Sequence, residues 1–206
     1  MSPSLRAWMC GVAGVVLTVA PGRAQVAGYQ LPASLSPDAR TVLAHLVDSA
    51  RTAGLPTEPL VLKAAEGALK GADDARIVRA VRLLVAEYGA VRALLPPGAG
   101  PVLMTAAVNA MRSGISQPAI RDVVRASGGN EGALVAGLVA ASDLMANGVP
   151  ATRAAAAVAQ VLRGPTPESA LLQLRSGVAE DVARGGGAEA ALSERLTNVL
   201  RGVRPP

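Results

Sequence analysis

The chain has almost none of the side chains that catalyse, ligate metals or stack on ligands. Its 206 residues include no phenylalanine, one tryptophan, two tyrosines, one histidine and one cysteine. Each shortage removes a class of function. A single cysteine cannot close a disulfide within the chain. One histidine and one cysteine leave only carboxylates to hold a metal. Those carboxylates occur singly or as pairs, Asp73-Asp74 and Glu180-Asp181, and the spacing predicts both pairs at helix starts. No second histidine or recognisable serine or cysteine motif completes a nucleophilic arrangement. Tyr29 and Tyr88 lie far apart, so the chain lacks a base-stacking platform and an aromatic-lined sugar cleft. No catalytic, cofactor-binding or metal-ligating residues are therefore expected.

Charge excludes a further class. Basic residues number 20 and acidic residues 15, and the excess is spread along the chain. Nucleic-acid binding needs a clustered basic stripe, so nucleic acid is not an expected partner. Nearly all the cations are arginine; Lys63 and Lys70 are the only lysines.

What is present begins with an export signal. Arg6 gives the start a positive charge, Ala7 to Ala20 is an uncharged apolar run, and Gly22-Arg23-Ala24 offers small residues where a signal peptidase reads. The run is shorter than the roughly 20 residues that span a bilayer. Residues 1–24 are therefore expected to be removed, and the protein to be periplasmic or secreted. Cys10 lies inside the run and not at its end, which argues against lipid attachment. Cleavage takes away Trp8, Cys10, Arg6 and Arg23. It leaves 18 basic residues against 15 acidic ones, a net charge of +3.

From about residue 38 to 201 apolar residues recur at helical spacing. Val42, Leu43, Leu46, Val47 and Ala50 make one stripe, and Ile77, Val78, Val81, Leu84, Val85 and Tyr88 make another. No segment alternates like a strand. Ser36-Pro37-Asp38 and Thr166-Pro167-Glu168 each read as an N-cap, a first-turn proline and an acid. Asp73 and Asp74 suit the positive end of a helix dipole.

Helix ends recur in one form: a small or polar residue, a glycine, an aliphatic residue, then a restart. The glycines are Gly54, Gly114, Gly148 and Gly177. A left-handed glycine followed by an aliphatic residue that packs back on the last turn is the Schellman ending. Second breaks follow at Gly71, Gly128-Gly129, Gly164 and Gly185-Gly186-Gly187. The steps between the first glycines are 60, 34 and 29 residues. This pattern predicts an all-α fold of about eight or nine helices. Its antiparallel hairpins would stack as a small solenoid-like repeat or an irregular bundle. The signatures of tetratricopeptide, HEAT and armadillo repeats do not stand here in order. A lead-in over 25–36, one domain over 37–201 with a loop break at 96–101, and a frayed tail over 202–206 complete the expected layout.

Four local features invite a functional reading. His45 and Asp48, three residues apart, could form an acid–base pair, but a surface histidine is the plainer expectation. Gly128-Gly129-Asn130-Glu131-Gly132 and Arg184-Gly185-Gly186-Gly187 could seat an anion on backbone N–H groups, but both read more simply as helix caps. Gly132, Ala136 and Ala140 make a small-residue face on the most apolar helix, expected to be central and closely packed. The expected function is an exported, non-catalytic interaction or structural module whose partner is a protein. The alternatives are a periplasmic enzyme or accessory using carboxylates and arginines alone, and a peripheral membrane or lipid-binding protein.

Overall fold

Proline, serine and glycine at the predicted places set most helix boundaries. The computed structural model describes residues 30–202; the expected signal, the first part of the lead-in (25–29) and residues 203–206 lie outside it. Nine helices occupy 75% of the described residues, with no strand among them. They are α1 (Pro37–Thr52), α2 (Glu58–Leu69), α3 (Asp74–Arg92), α4 (Pro101–Arg112), α5 (Gln117–Ala126), α6 (Glu131–Ala146), α7 (Ala151–Leu162), α8 (Pro167–Ala183) and α9 (Ala188–Gly202).

The starts follow their chemistry. The Ser36 hydroxyl accepts from the Ala39 N–H at 3.2 Å, with Pro37 in the first turn. Asp73 accepts from the Arg76 N–H at 2.8 Å, and Asn130 from the Ala133 N–H at 3.0 Å. Each bond satisfies one of the four N–H groups that a helix start leaves open. Thr166 departs from expectation: it precedes Pro167 but makes no side-chain cap.

Three of the four predicted Schellman glycines are real. At Gly54, Gly114 and Gly148 φ is +68°, +102° and +89°. In each case the glycine N–H bonds three residues back and the next N–H five back, as in Gly148 to Met145 at 2.9 Å and Val149 to Leu144 at 3.0 Å. Ile115 and Val149 are then buried against the turn they close. Gly177 corrects the expectation. It lies inside α8, buried and without positive φ, and the helix runs through it to Ala183. The ending belongs to Gly185, at +92°. The repeat step after Gly148 is thus 37 residues, close to the 34 before it.

With that correction the hairpins align as α4–α5, α6–α7 and α8–α9. Their first helices form one row, in which α6 packs on both α4 and α8. Their second helices form another, in which α7 packs on α5 and more lightly on α9. The rows meet where α6 packs on α7 and α8 on α9. This is the stacked-hairpin arrangement of a short solenoid. The N-terminal helices join it through α3, which packs on α1, α2 and α4. Tyr88, fully buried, bonds Thr105 across the α3–α4 contact at 3.1 Å between hydroxyl oxygens. Arg112 donates to Glu87 across the same contact at 2.6 Å.

The core is leucine, valine, isoleucine and a large share of alanine. Small side chains cover little area, so their helices must approach closely to exclude water. Helix α6 sits at the centre, touching α4, α5, α7 and α8. A Cβ added at Gly137 would lie 3.1 Å from both Val158 and Leu162 of α7. One added at Gly67 would lie 2.7 Å from Ile77 between α2 and α3.

The glycine turns generate a stability test. Gly148→Ala forces a Cβ into a left-handed backbone and should cost about 1 kcal/mol or more. The exposed change Arg153→Ala should stay within about 0.5 kcal/mol. Chemical denaturation of both variants measures the difference. A neutral or stabilising Gly148→Ala would contradict the strained-turn account.

Candidate functional site

The sequence candidates are used up by local structure. His45 is exposed on α1, and the Asp48 carboxylate accepts from Arg51 at 2.7 Å, not from His45. The acid–base pair is therefore absent: a guanidinium one turn away takes the carboxylate. Asn130 caps α6, and Glu131 accepts from the Gly100 N–H at 3.2 Å. Gly128 and Gly129, at φ of +59° and +85°, turn the chain between α5 and α6. The stripe Gly132, Ala136 and Ala140 faces α8, where Ala136 and Ala140 share a depression with Leu171 and Leu172.

Glu180-Asp181 does not start a helix, as the spacing predicts. Because α8 continues past Gly177, the pair falls in its last turn. There Asp181 anchors α9. The Arg195 guanidinium donates to both carboxylate oxygens, at 2.6 and 2.7 Å, and Arg184 donates to one of them. The paired, bidentate geometry is the strong form of a charged hydrogen bond. It holds the Asp181 carboxyl well below the usual carboxylate range, chiefly through the Arg195 bonds, and raises the Arg195 guanidinium. Gly177 makes room for this: a Cβ there would stand 2.8 Å from the Arg195 side chain. Glu66, bonded by Lys70 and by Lys63, is likewise lowered to about 2. Both acids are locked as structural anions, which leaves no proton to donate near neutral pH.

Two larger concavities flank α5. A trough of about 540 Å³ runs between α5 and α7, floored by Ala119, Ala155 and Ala159 and rimmed by Thr152, Gln160 and Arg163. A depression of about 390 Å³ on the other side of α5 holds Leu94, Val124 and Arg121. They share Pro118 and Asp122. Asp122 is paired with Arg125, whereas Arg121 and Arg163 have no hydrogen-bond or ion-pair partner among the described residues. This alanine-floored trough, with the Arg163 guanidinium unpaired on its rim, is the candidate site. Sequence reasoning missed it because its walls come from helices more than 30 residues apart. The only local signal was the alanine run Ala154–Ala157 beside an unpaired Arg163.

Among the described residues no three His, Cys, Asp or Glu side chains gather as a metal site, and no helix is long and apolar enough to cross a membrane. The chain matches no family model, no curated protein and no solved structure.

The Asp181 anchor predicts a pH signature. Its folded carboxyl is depressed, so its stabilisation is full above the unfolded carboxylate pKa of about 3.9 and fades as pH falls below it. Asp181→Asn should melt below the parent protein at pH 7, and the gap should narrow at pH 3. A gap that is absent at pH 7, or that widens in acid, would contradict the assignment.

Proposed function

We propose that this is an exported, non-catalytic helical module that binds a protein partner through the α5–α7 trough. The observation that carries the reading is the trough itself. Its alanine floor is shallow and smooth, which suits the packing of another helix or an extended segment. Its unpaired Arg163 supplies orientation and long-range attraction without a built catalytic geometry. The stacked hairpins support the same reading, because a row of parallel ridges presents an extended surface. The acids Asp181 and Glu66 are held in ion pairs. Export rests on the charged start, apolar run and Gly22-Arg23-Ala24 ending.

A photo-crosslinking residue at Ala156, in the trough, tests the binding claim against one at Ala86 on exposed α3. In the native host, position 156 should give one dominant protein product that position 86 lacks. The exported product should begin at Gln25 on N-terminal sequencing. The same background of products at both positions would contradict the binding surface, and an intact Met1 would contradict cleavage.

A further inference from the structure

Helix α3 packs on α1, α2 and α4 and buries Ile77, Val81, Leu84, Tyr88 and Val91. Each residue along a helix turns the side chain by about 100°. Arg79 therefore points away from Ile77 and Val81. Arg76, Arg82, Leu83, Ala86 and Ala90 all fall within about 60° of Arg79 on the helix circumference. All of them except the half-buried Ala90 are exposed. Together they make one outward strip along α3.

The strip carries three cations and no carboxylate of its own. Asp73, the N-cap that precedes it, lies 3.8 Å from the Arg76 guanidinium. Arg79 and Arg82 have no hydrogen-bond or ion-pair partner among the described residues. The two acids within α3 are engaged elsewhere. Asp74 accepts from the Ser36 N–H at 3.3 Å, and Glu87 accepts from Arg112 of α4 at 2.6 Å. The charge of the strip is thus positive and uncompensated, and it is concentrated in the N-terminal half of the helix.

A large apolar side chain stands among these cations. Leu83 is 60% exposed, next to Arg82 in sequence and one turn beyond Arg79. An acidic polypeptide or a nucleic acid would satisfy the arginines and leave the leucine in water. A surface that is anionic outside and apolar just beneath satisfies both. Arginine suits such a boundary, because its stem lies along apolar groups while the guanidinium bonds phosphate oxygens in pairs. Beyond Leu83 the strip is small, with Ala86 and Ala90, so no bulky side chain holds the helix off a flat surface. Leu62 of α2 makes the contrast: it is 53% exposed, but Glu58 and Glu66 stand one turn to either side of it. No described helix is long and apolar enough to cross a membrane, so such a contact stays at the surface.

We infer that the outward strip of α3 docks on a phospholipid surface with anionic headgroups. Arg76, Arg79 and Arg82 pair with lipid phosphates, and Leu83 enters the boundary between headgroups and acyl chains. Three cations and one leucine make a weak, reversible contact. It depends on the negative charge of the lipid and is screened by salt. The strip lies on a different helix from the α5–α7 trough, so this inference does not depend on what fills the trough.

Vesicle flotation of the exported protein, purified from its native host, tests this. The vesicles are an equal mixture of phosphatidylglycerol and phosphatidylcholine, or phosphatidylcholine alone. At low ionic strength the parent should float with the mixed vesicles, stay behind with phosphatidylcholine alone, and come off when salt is raised. Arg79→Gln with Arg82→Gln should weaken partitioning roughly 25-fold, about fivefold for each cation removed. Leu83→Ser should also weaken it, whereas Leu62→Ser should leave it unchanged. All four positions are exposed, and circular dichroism melting checks that each variant folds. A parent that ignores the mixed vesicles, or binds both kinds equally, would overturn the proposal. So would a double arginine variant that floats like its parent, or a Leu62→Ser loss as large as that of Leu83→Ser. If soluble polyglutamate displaces the vesicles and Leu83→Ser changes nothing, the strip recognises acidic protein and the lipid assignment fails.

Discussion

The structure depends on how closely helices can approach when Tyr88 is the one aromatic side chain buried among the described residues. A core of leucine, valine and alanine excludes water only when backbones come near one another, and glycine sets the limit. Gly137 is the centre of this constraint. It lets α6, which like α7 packs on four other helices, lie directly against Val158 and Leu162 of α7. Gly67 against Ile77 and Gly177 against Arg195 repeat the device between α2 and α3 and between α8 and α9. In each, a residue that is poor for helix stability by about 1 kcal/mol is kept inside a helix because it admits a neighbour.

Electrostatics follows from the same alternation. Successive helices switch rows, so arginines on α5 and α7 and acids on α6 and α8 average out along the sequence and separate in space. The linear chain shows only a mild positive excess. In the folded chain α5 and α7 with their caps hold four cations to one anion, and α6 and α8 with theirs five anions to two cations. The ion pairs that cross between helices, Arg112 to Glu87, Arg175 to Asp143 and Arg195 to Asp181, tie α4 to α3, α8 to α6 and α9 to α8.

Local chemistry made much of the fold legible. Ser36, Asp73 and Asn130 announce their caps, and Gly54, Gly114 and Gly148 announce their turns, because each acts through backbone groups a few residues away. Gly177 shows where that stops. Its neighbours look like those of the others, yet Gly54, Gly114 and Gly148 are each followed within four residues by a proline that blocks continuation of the helix. No proline follows Gly177 so closely, and the helix runs on with Leu174 and Val178 fully buried. The misplacement of Glu180-Asp181 is a consequence of the same error. The trough was not legible at all, since nothing in a helix records which other helix will lie beside it.

The most direct test of the close-approach account is the stability of Gly137→Leu beside Gly89→Ala, both measured by urea denaturation. Both glycines lie inside helices, and neither has positive φ. A Cβ at Gly89 meets nothing within 4 Å, whereas one at Gly137 meets Val158 and Leu162. Helix propensity favours both substitutions. The account predicts opposite signs: Gly89→Ala should stabilise by up to about 1 kcal/mol, and Gly137→Leu should destabilise by about 2 kcal/mol through overpacking. A Gly137→Leu protein as stable as its parent would show that α6 and α7 do not need this contact, and the account of the core would fall with it.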